Sequence, residues 1–327
     1  MNTVNIVVVG YGIGRYHCGF IKQVPGLKLL GVCDIDPAKR DLAKKDHGDI
    51  VLYPDIEAVL GDEEAHVVVL GLPHAIHKSE CVKAANAKKH VIMEKPFCMT
   101  VAEADAMIAA ARKNKVMLTI AHNRRWDSDY LTVKAAIDGG LIGLPFIIES
   151  RVGGWGAPGG WRAFKKHGGS ILYDWGAHLT DQILQIRKYP KIRSVYAEKQ
   201  YRIWNSEVEN HVKLLIRFAD DTSAQVEVSQ VDRLSLPRWF ILGEKGTLRK
   251  QTFGADKVEV KTDYGGLEAQ FALDPIKGDV ADFYRNVHAH LTEGKELVVK
   301  PAEARESTRV LEAARKSAET GRAVTLA

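Results

Sequence analysis

A strand-like run that ends in glycines sets the strongest limit on how this chain folds. Residues 4–10 form that run, which leads into Gly10-Tyr11-Gly12-Ile13-Gly14, and a helical pattern then continues to about Val24. Apolar β-branched residues in so dense a run read as a strand buried on both faces, as in a parallel sheet covered by helices. Strand, glycine loop and helix in that order build a phosphate cradle. Glycines admit close backbone approach, and the helix start offers free N–H groups and partial positive charge to a pyrophosphate. Gly10, Gly12, Ile13 and Gly14 are therefore candidate cofactor contacts. The loop is one residue shorter than the full G-x-G-x-x-G pattern, and Arg15 falls where the third glycine would stand.

The next strand, Leu27 to Cys33, ends at Asp34-Ile-Asp-Pro37. An acid at the end of the second strand, about 20 residues past the glycines, is where adenosine ribose hydroxyls are held. A carboxylate accepts from both hydroxyls and repels a 2′-phosphate, so Asp34 favours NAD over NADP. Lys39 and Arg40 follow closely and suit a phosphate, which keeps Arg40 as a cofactor candidate. Asp36-Pro37 reads instead as a helix cap with proline in the first turn.

Alternation continues with a strand at Val67–Leu70, a loop over Gly71–His77, a helix from about Lys78 to Ala87 and a strand at His90–Met93. This strand ends in Glu94-Lys95-Pro96-Phe97. In an open parallel sheet, ligands sit outside the carboxyl ends of the strands. Lys95, with Pro96 stopping the strand behind it, is placed to meet one. A helix over Val101–Lys113 carries a capping box of Thr100 and Glu103, and a strand at Val116–Ala121 leads to a domain boundary at His122. Residues 1–122 thus read as a Rossmann-type α/β domain, a doubly wound parallel sheet with right-handed crossovers.

Residues 123–327 change character. A helix at Ser128–Asp138 precedes alternating runs at Pro145–Val152, Ile192–Tyr201, Val208–Phe218, Thr222–Val231, Trp239–Gly243, Thr247–Thr252 and Val258–Lys261. Period-two runs separated by turns predict a large, mainly antiparallel sheet with one open face. A helix near Ser170–Ile186 covers the other face, and helices near Val280–Leu291 and Ala302–Thr320 close this α+β domain. The open face is a natural surface for a homodimer or homotetramer.

Bulk properties exclude several classes. With 327 residues, 46% hydrophobic and 27% charged, the chain fits a globular protein of two domains. No apolar run reaches membrane-spanning length, and the start lacks the features of a signal peptide. Cys18, Cys33, Cys81 and Cys98 show no paired spacing, which suits reduced thiols in the cytoplasm. The net charge of +5 is spread out, without the basic block of a nucleic-acid or membrane surface. His288 and His290 point to different helix faces, and no His, Cys, Asp or Glu set has metal-ligand spacing.

Chemistry gathers in Gly168-Gly-Ser-Ile-Leu-Tyr-Asp174-Trp-Gly176-Ala-His178. On a helix, Asp174 and His178 share a face one turn apart. A carboxylate beside an imidazole fixes its tautomer and tunes its proton affinity. The same spacing also suits a plain surface pair worth a few tenths, roughly 0.3 kcal/mol. Upstream, residues 153–167 are glycine-rich and aromatic, with Trp155 and Trp161 among them and Lys165 and Lys166 on a solvated rim. This stretch reads as a mobile flap.

These pieces resemble the Gfo/Idh/MocA oxidoreductase family. The resemblance rests on Gly10-x-Gly12 through His17, Cys33-Asp34-x-Asp36-Pro37, Leu72-Pro73-x-x-x-His77, Glu94-Lys95-Pro96, Asn123-Arg124-Arg125-Trp126, Trp161-Arg162, and Gly168-Gly169 through Asp174-x-Gly176-x-His178. Residues 122–130 and 173–182 look most like the subgroup that contains scyllo-inositol dehydrogenases. The resemblance implies hydride transfer between NAD(P) and a secondary hydroxyl or ketone of a cyclic polyol or sugar. It also implies that Lys95 bridges cofactor and substrate, that His178 is the general base or acid, and that Asp174 binds a neighbouring hydroxyl. Pro73, His77, Glu94, Asn123, Trp161 and Arg162 would join the cofactor contacts, and Arg124 and Trp155 the substrate contacts. A glycosidase that oxidises its sugar transiently and a non-catalytic dinucleotide-binding regulator share this fold and stand as alternatives.

Overall fold

The computed structural model describes residues 3–254 and 256–326. The chain divides into two compact units, Met1–His122 with Val280–Arg305, and Asn123–Asp279 with Glu306–Ala327. The second unit therefore lacks residues 280–305, which the sequence reading assigned to a continuous domain 123–327.

In the first unit, strands and helices alternate: β1 (Val4–Val9), α1 (Gly14–Ile21), β2 (Leu27–Cys33), α2 (Pro37–His47), β3 (Val51–Tyr53), α3 (Ile56–Gly61), β4 (Val67–Leu70), α4 (His77–Asn86), β5 (His90–Met93), α5 (Val101–Asn114) and β6 (Leu118–Ile120). All six strands are parallel, in the order β3-β2-β1-β4-β5-β6. This is the doubly wound order whose direction reverses between β1 and β4, the switch point where such sheets bind ligands. The dense apolar runs earn their reading: every residue of β1 and of β4 is buried. Each such Val or Leu contributes roughly 1.5–3 kcal/mol relative to exposure.

Register does the positioning. Val9 pairs with Cys33 and with Leu70, Leu70 with Met93, and Met93 with Ile120. Gly10, Asp34, Gly71, Glu94 and Ala121 thus leave the sheet along one carboxyl edge. Asp36 caps α2 by accepting from Ala38 N at 2.9 Å, with Pro37 in the first turn. Thr100 Oγ1 accepts from Glu103 N at 3.3 Å, but the Glu103 carboxylate takes Met99 N rather than Thr100 N.

The second unit holds α6 (Ser128–Asp138), β7 (Pro145–Val152), α7 (Ile171–Ile186), β8 (Ile192–Gln200), β9 (His211–Phe218), β10 (Ser223–Ser229), β11 (Trp239–Gly243), β12 (Gly246–Lys250), β13 (Val258–Tyr264) and β14 (Leu267–Leu273). The chain then forms α8 (Ala281–Glu293) in the first unit, α9 (Pro301–Thr320) and the short β15 (Val324–Thr325). The nine-stranded sheet runs β14-β13-β12-β11-β7-β10-β9-β8-β15 and is antiparallel except between β7 and β10. Alternation along β9 buries Val212, Leu214, Ile216 and Phe218 and exposes the residues between them. The outer face is mixed rather than purely apolar. One register row carries Tyr196, Leu215, Gln225, Glu149 and Phe240, and Arg151 pairs there with Glu149 and Glu227.

Candidate functional site

The glycine cradle is dictated by packing. Gly10 has φ +90°, and a Cβ on it would lie 2.3 Å from the Gly71 carbonyl oxygen; a Cβ on Gly14 would lie 2.6 Å from Val8 Cγ1. A Cβ on Gly12 would meet nothing within 4 Å. The backbone of Gly12 therefore faces open space at the start of α1, whose first turn has no side-chain cap and no acid. These features fit a bound pyrophosphate. Asp34 Oδ2 accepts from Tyr11 N at 2.8 Å and Oδ1 from Asp36 N at 3.0 Å. A carboxylate has about four acceptor sites, so capacity remains for ribose hydroxyls. Arg40 sits beside it, with Nη1 donating to the Asp34 carbonyl at 2.6 Å. Ile13, at 38% exposure, is open to a ligand. Asp34 and the cradle are tied together through Tyr11, whose hydroxyl also reaches Asp46 on α2 at 2.7 Å.

Lys95 follows β5 and precedes a cis Pro96. Its surroundings face inward. Glu94 is buried; Oε1 lies 2.7 Å from His17 Nε2, and Oε2 accepts from Lys95 N at 2.9 Å. His17 Nδ1 in turn lies 2.5 Å from the Tyr284 hydroxyl of α8. Burial, and then the nearby Glu94 charge, hold the Tyr284 hydroxyl protonated. A carboxylate can only accept, so His17 gives its Nε2–H to Glu94. Burial pushes the Glu94 carboxyl up, but the His17 hydrogen bond and the charges of His17, Lys95 and His77 outweigh it, and the net direction is down. His77, fully buried, turns Nδ1 to the Pro96 carbonyl at 2.9 Å and Nε2 to the Leu72 carbonyl at 3.0 Å. Burial lowers its proton affinity more than these carbonyls raise it. Glu94 and His77, expected to touch a cofactor, thus fix the loops that carry Pro73 and Lys95.

In the second unit, α7 carries Asp174 and His178 on one face as expected from their spacing. Its start is held by Glu209, a buried carboxylate missed in the sequence. Glu209 accepts from Leu172 N at 3.0 Å and from the Ser170 hydroxyl, while Ser170 Oγ accepts from Tyr173 N at 3.4 Å. Arg162 Nε lies 3.2 Å from Asp174 Oδ2, and its guanidinium stacks 4.6 Å from the Trp161 ring centroid. The histidine is 5% exposed and meets the Trp175 ring edge at 6.0 Å. Arg124, next to Asn123, stacks on Trp175 at 4.4 Å and pairs with Asp127 at 2.7 Å. Trp155, expected as a substrate contact, is 43% exposed, bridged to Val231, edge-on to Trp204 at 5.2 Å, and has the Arg233 guanidinium 3.6 Å over its ring. Among the described residues no group of three or more His, Cys, Asp or Glu is arranged to hold a metal ion. No described helix is long and apolar enough to cross a membrane.

Comparison with known proteins agrees with this geometry. Residues 4–122 match the model of the oxidoreductase family with NAD-binding Rossmann fold, and residues 130–249 match the GFO/IDH/MocA C-terminal domain. A relative from Bacillus subtilis, scyllo-inositol 2-dehydrogenase (NADP(+)), is 25% identical, with 100% of this chain and 97% of that protein covered. An uncharacterized oxidoreductase of Schizosaccharomyces pombe is 26% identical over the full length of both. The crystal structure of an NAD-binding protein from Listeria innocua superimposes with a TM-score of 0.91 at 31% identity and covers both chains completely. Sheet order, cradle and matched domains define an NAD-binding oxidoreductase. Within that class, the chain belongs to the Gfo/Idh/MocA family.

Proposed function

We propose that this oxidoreductase moves a hydride between a nicotinamide cofactor and a secondary hydroxyl or ketone of a cyclic polyol or sugar. The observation that carries the reading is Lys95, fixed at the carboxyl edge of the parallel sheet in the row that begins at the Gly10 cradle. The B. subtilis relative's name supports the polyol class. When bound, the nicotinamide supplies the hydride acceptor or donor. The protein's own groups handle charge and the proton. Lys95 donates a hydrogen bond to the reacting oxygen and stabilises negative charge as it develops. His178 takes the hydroxyl proton in oxidation and returns it in reduction. Asp174 accepts from a neighbouring hydroxyl and sets the orientation of the sugar. Asp34 favours NAD, with Arg40 beside it able to meet a 2′-phosphate.

The test is nicotinamide absorbance on mixing the protein with NAD or NADP and a panel of inositols, hexoses and acidic sugars, with Lys95→Ala as control. Steady reduction that disappears in the variant establishes the activity and decides the cofactor. Silence with every polyol, and with keto-sugars plus reduced cofactor, would sink the reading.

We also propose that copies of the chain associate through the outer sheet face around Leu215 and Phe240. Light scattering on the native chain and on Leu215→Lys tests this. A monomeric native protein, or assembly unchanged by the substitution, counts against it.

A further inference from the structure

We infer that the substrate is an acid, a sugar or polyol bearing a carboxylate, and that Arg162 receives that carboxylate. The inference rests on the reading above that Asp174 and His178 face the substrate. Arg162 Nε is paired with Asp174 at 3.2 Å, and the guanidinium carbon stands 4.6 Å over the Trp161 ring centroid. Its two terminal nitrogens make no hydrogen bond among the described residues, and the side chain is 38% exposed. One edge of the fork is therefore anchored and the group rests over an aromatic ring, while the other edge stays open. A guanidinium held in this way is pre-organised for bidentate recognition of a planar anion.

The surroundings favour an anion. Residues 153–167 carry Arg162, Lys165 and Lys166 and no acidic residue. Of the acids near this stretch, Glu207 accepts from Lys165 N at 2.9 Å, Asp174 is paired with Arg162, and Asp232, whose carboxylate abuts Gly153, accepts from Leu234 N at 3.0 Å. A monoanionic carboxylate suits the open edge better than a phosphate, because a dianion beside the Asp174 carboxylate meets stronger like-charge repulsion. Direct contact between Arg162 and Asp174 also limits geometry. A hydroxyl given to Asp174 and a carboxylate given to Arg162 must stand on neighbouring parts of one molecule, as in uronates and aldonates. Arg162 would then select the substrate, which differs from the nicotinamide contact expected from the sequence.

The test is calorimetric titration of the full chain, with saturating NAD, using matched pairs: D-glucuronate with D-glucose, D-galacturonate with D-galactose, and D-gluconate with sorbitol. D-Glucose 6-phosphate serves as the competing anion. Arg162→Gln and Arg162→Lys are measured beside the native protein, with melting curves to verify folding. Charge-assisted bidentate pairing predicts that at least one acid binds about tenfold or more tighter than its neutral partner. That advantage should vanish in Arg162→Gln, be partly kept in Arg162→Lys, and shrink with added salt, while the Kd for NAD stays the same.

Equal affinities, an advantage that survives Arg162→Gln, preference for the phosphate, or no binding across the panel each overturns the inference. So does a loss of NAD affinity in Arg162→Gln without loss of the acid's advantage. Turnover is read separately. Acid-selective binding without nicotinamide reduction leaves the carboxylate site standing and sinks the dehydrogenase reading. Neutral polyols oxidised as efficiently as their acids do the reverse.

Discussion

The surroundings of Lys95 and those of Asp174 solve opposite problems. Around Lys95, charge is closed on itself: Glu94, His17 and Tyr284 satisfy one another in the interior, and His77 holds the backbone on the other side. Around Asp174, charge reaches the surface: Arg162, which pairs with it at 3.2 Å, is a part-exposed arginine on a glycine-rich segment. Buried polar groups that satisfy each other fix one geometry, whereas exposed ion pairs exchange partners at little cost. The first region suits a group that must stand in one place for every turnover. The second suits a surface that recognises whatever hydroxyls and charge the substrate brings.

Removing the centre of the first region is the severest test of that contrast. Lys95→Ala should lower kcat/KM by roughly 100-fold or more, on the scale of a lost acid–base or electrostatic group. Its melting temperature should stay close to native, because the Glu94–His17–Tyr284 contacts and the backbone bond from Lys95 N to Glu94 survive the truncation. A large loss of stability would show that Lys95 is part of the buried network rather than its product.

The second region is open above but anchored below. Arg125 and Asp181, 2% and 1% exposed, pair at 2.6 Å about one turn beyond His178 along α7. Asp181→Asn leaves the Arg125 charge buried and incompletely paired, and should cost about 3–5 kcal/mol in urea unfolding. A cost below 1 kcal/mol, about that of a surface pair, would mean that water reaches this site and that the anchor is weaker than its burial indicates.

Glu94 supplies a pH test. Its carboxyl is held below the ordinary value of 4.5 in the folded protein. Its contribution is therefore fully present above the unfolded value and is lost as pH falls through the lower, folded one. Glu94→Gln should cost about 1–3 kcal/mol at neutral pH, since an amide NH2 would face the Lys95 N–H. The gap between variant and native protein should narrow below pH 4.5, where the unfolded glutamate takes up its proton. A gap that is constant from pH 7 to pH 3 would show that the Glu94 charge contributes nothing to the shell.

How much of this was legible depended on sequence distance. The strands β2, β4 and β5 were bounded correctly because each is a dense apolar run with a turn-former beyond it. The edge strand β3 was missed because three residues carry no period, and β14 because exposure on both faces leaves it no alternation. Asp174 and His178 announced themselves by lying one turn apart. Tyr284 gave no such signal: it meets His17 across 267 positions, in a segment that returns to the first unit after the second is built. Glu209 likewise caps α7 from a distance of 37 positions. The residues proposed to react were readable from local pattern, whereas those that hold them in place were fixed only by the fold.

The smallest expected effect on stability is also the sharpest probe of the cradle. Gly14→Ala brings a methyl group to within 2.6 Å of Val8 Cγ1, a side chain locked in the central strand. Relieving that contact should cost about 1–3 kcal/mol, as overpacking does. Gly12→Ala meets nothing within 4 Å, and its φ lies outside the left-handed region. Stability there should change by no more than about 0.5 kcal/mol. The new methyl group nevertheless occupies the space a pyrophosphate would fill, so the Kd for the dinucleotide should rise about tenfold or more, the equivalent of about 1.4 kcal/mol. Thermal melts and cofactor titration on the same two variants separate the outcomes. A Gly12→Ala protein that melts normally and still binds cofactor at native affinity would place the phosphates elsewhere than over Gly12. The cradle would then be a tight turn that packing alone explains.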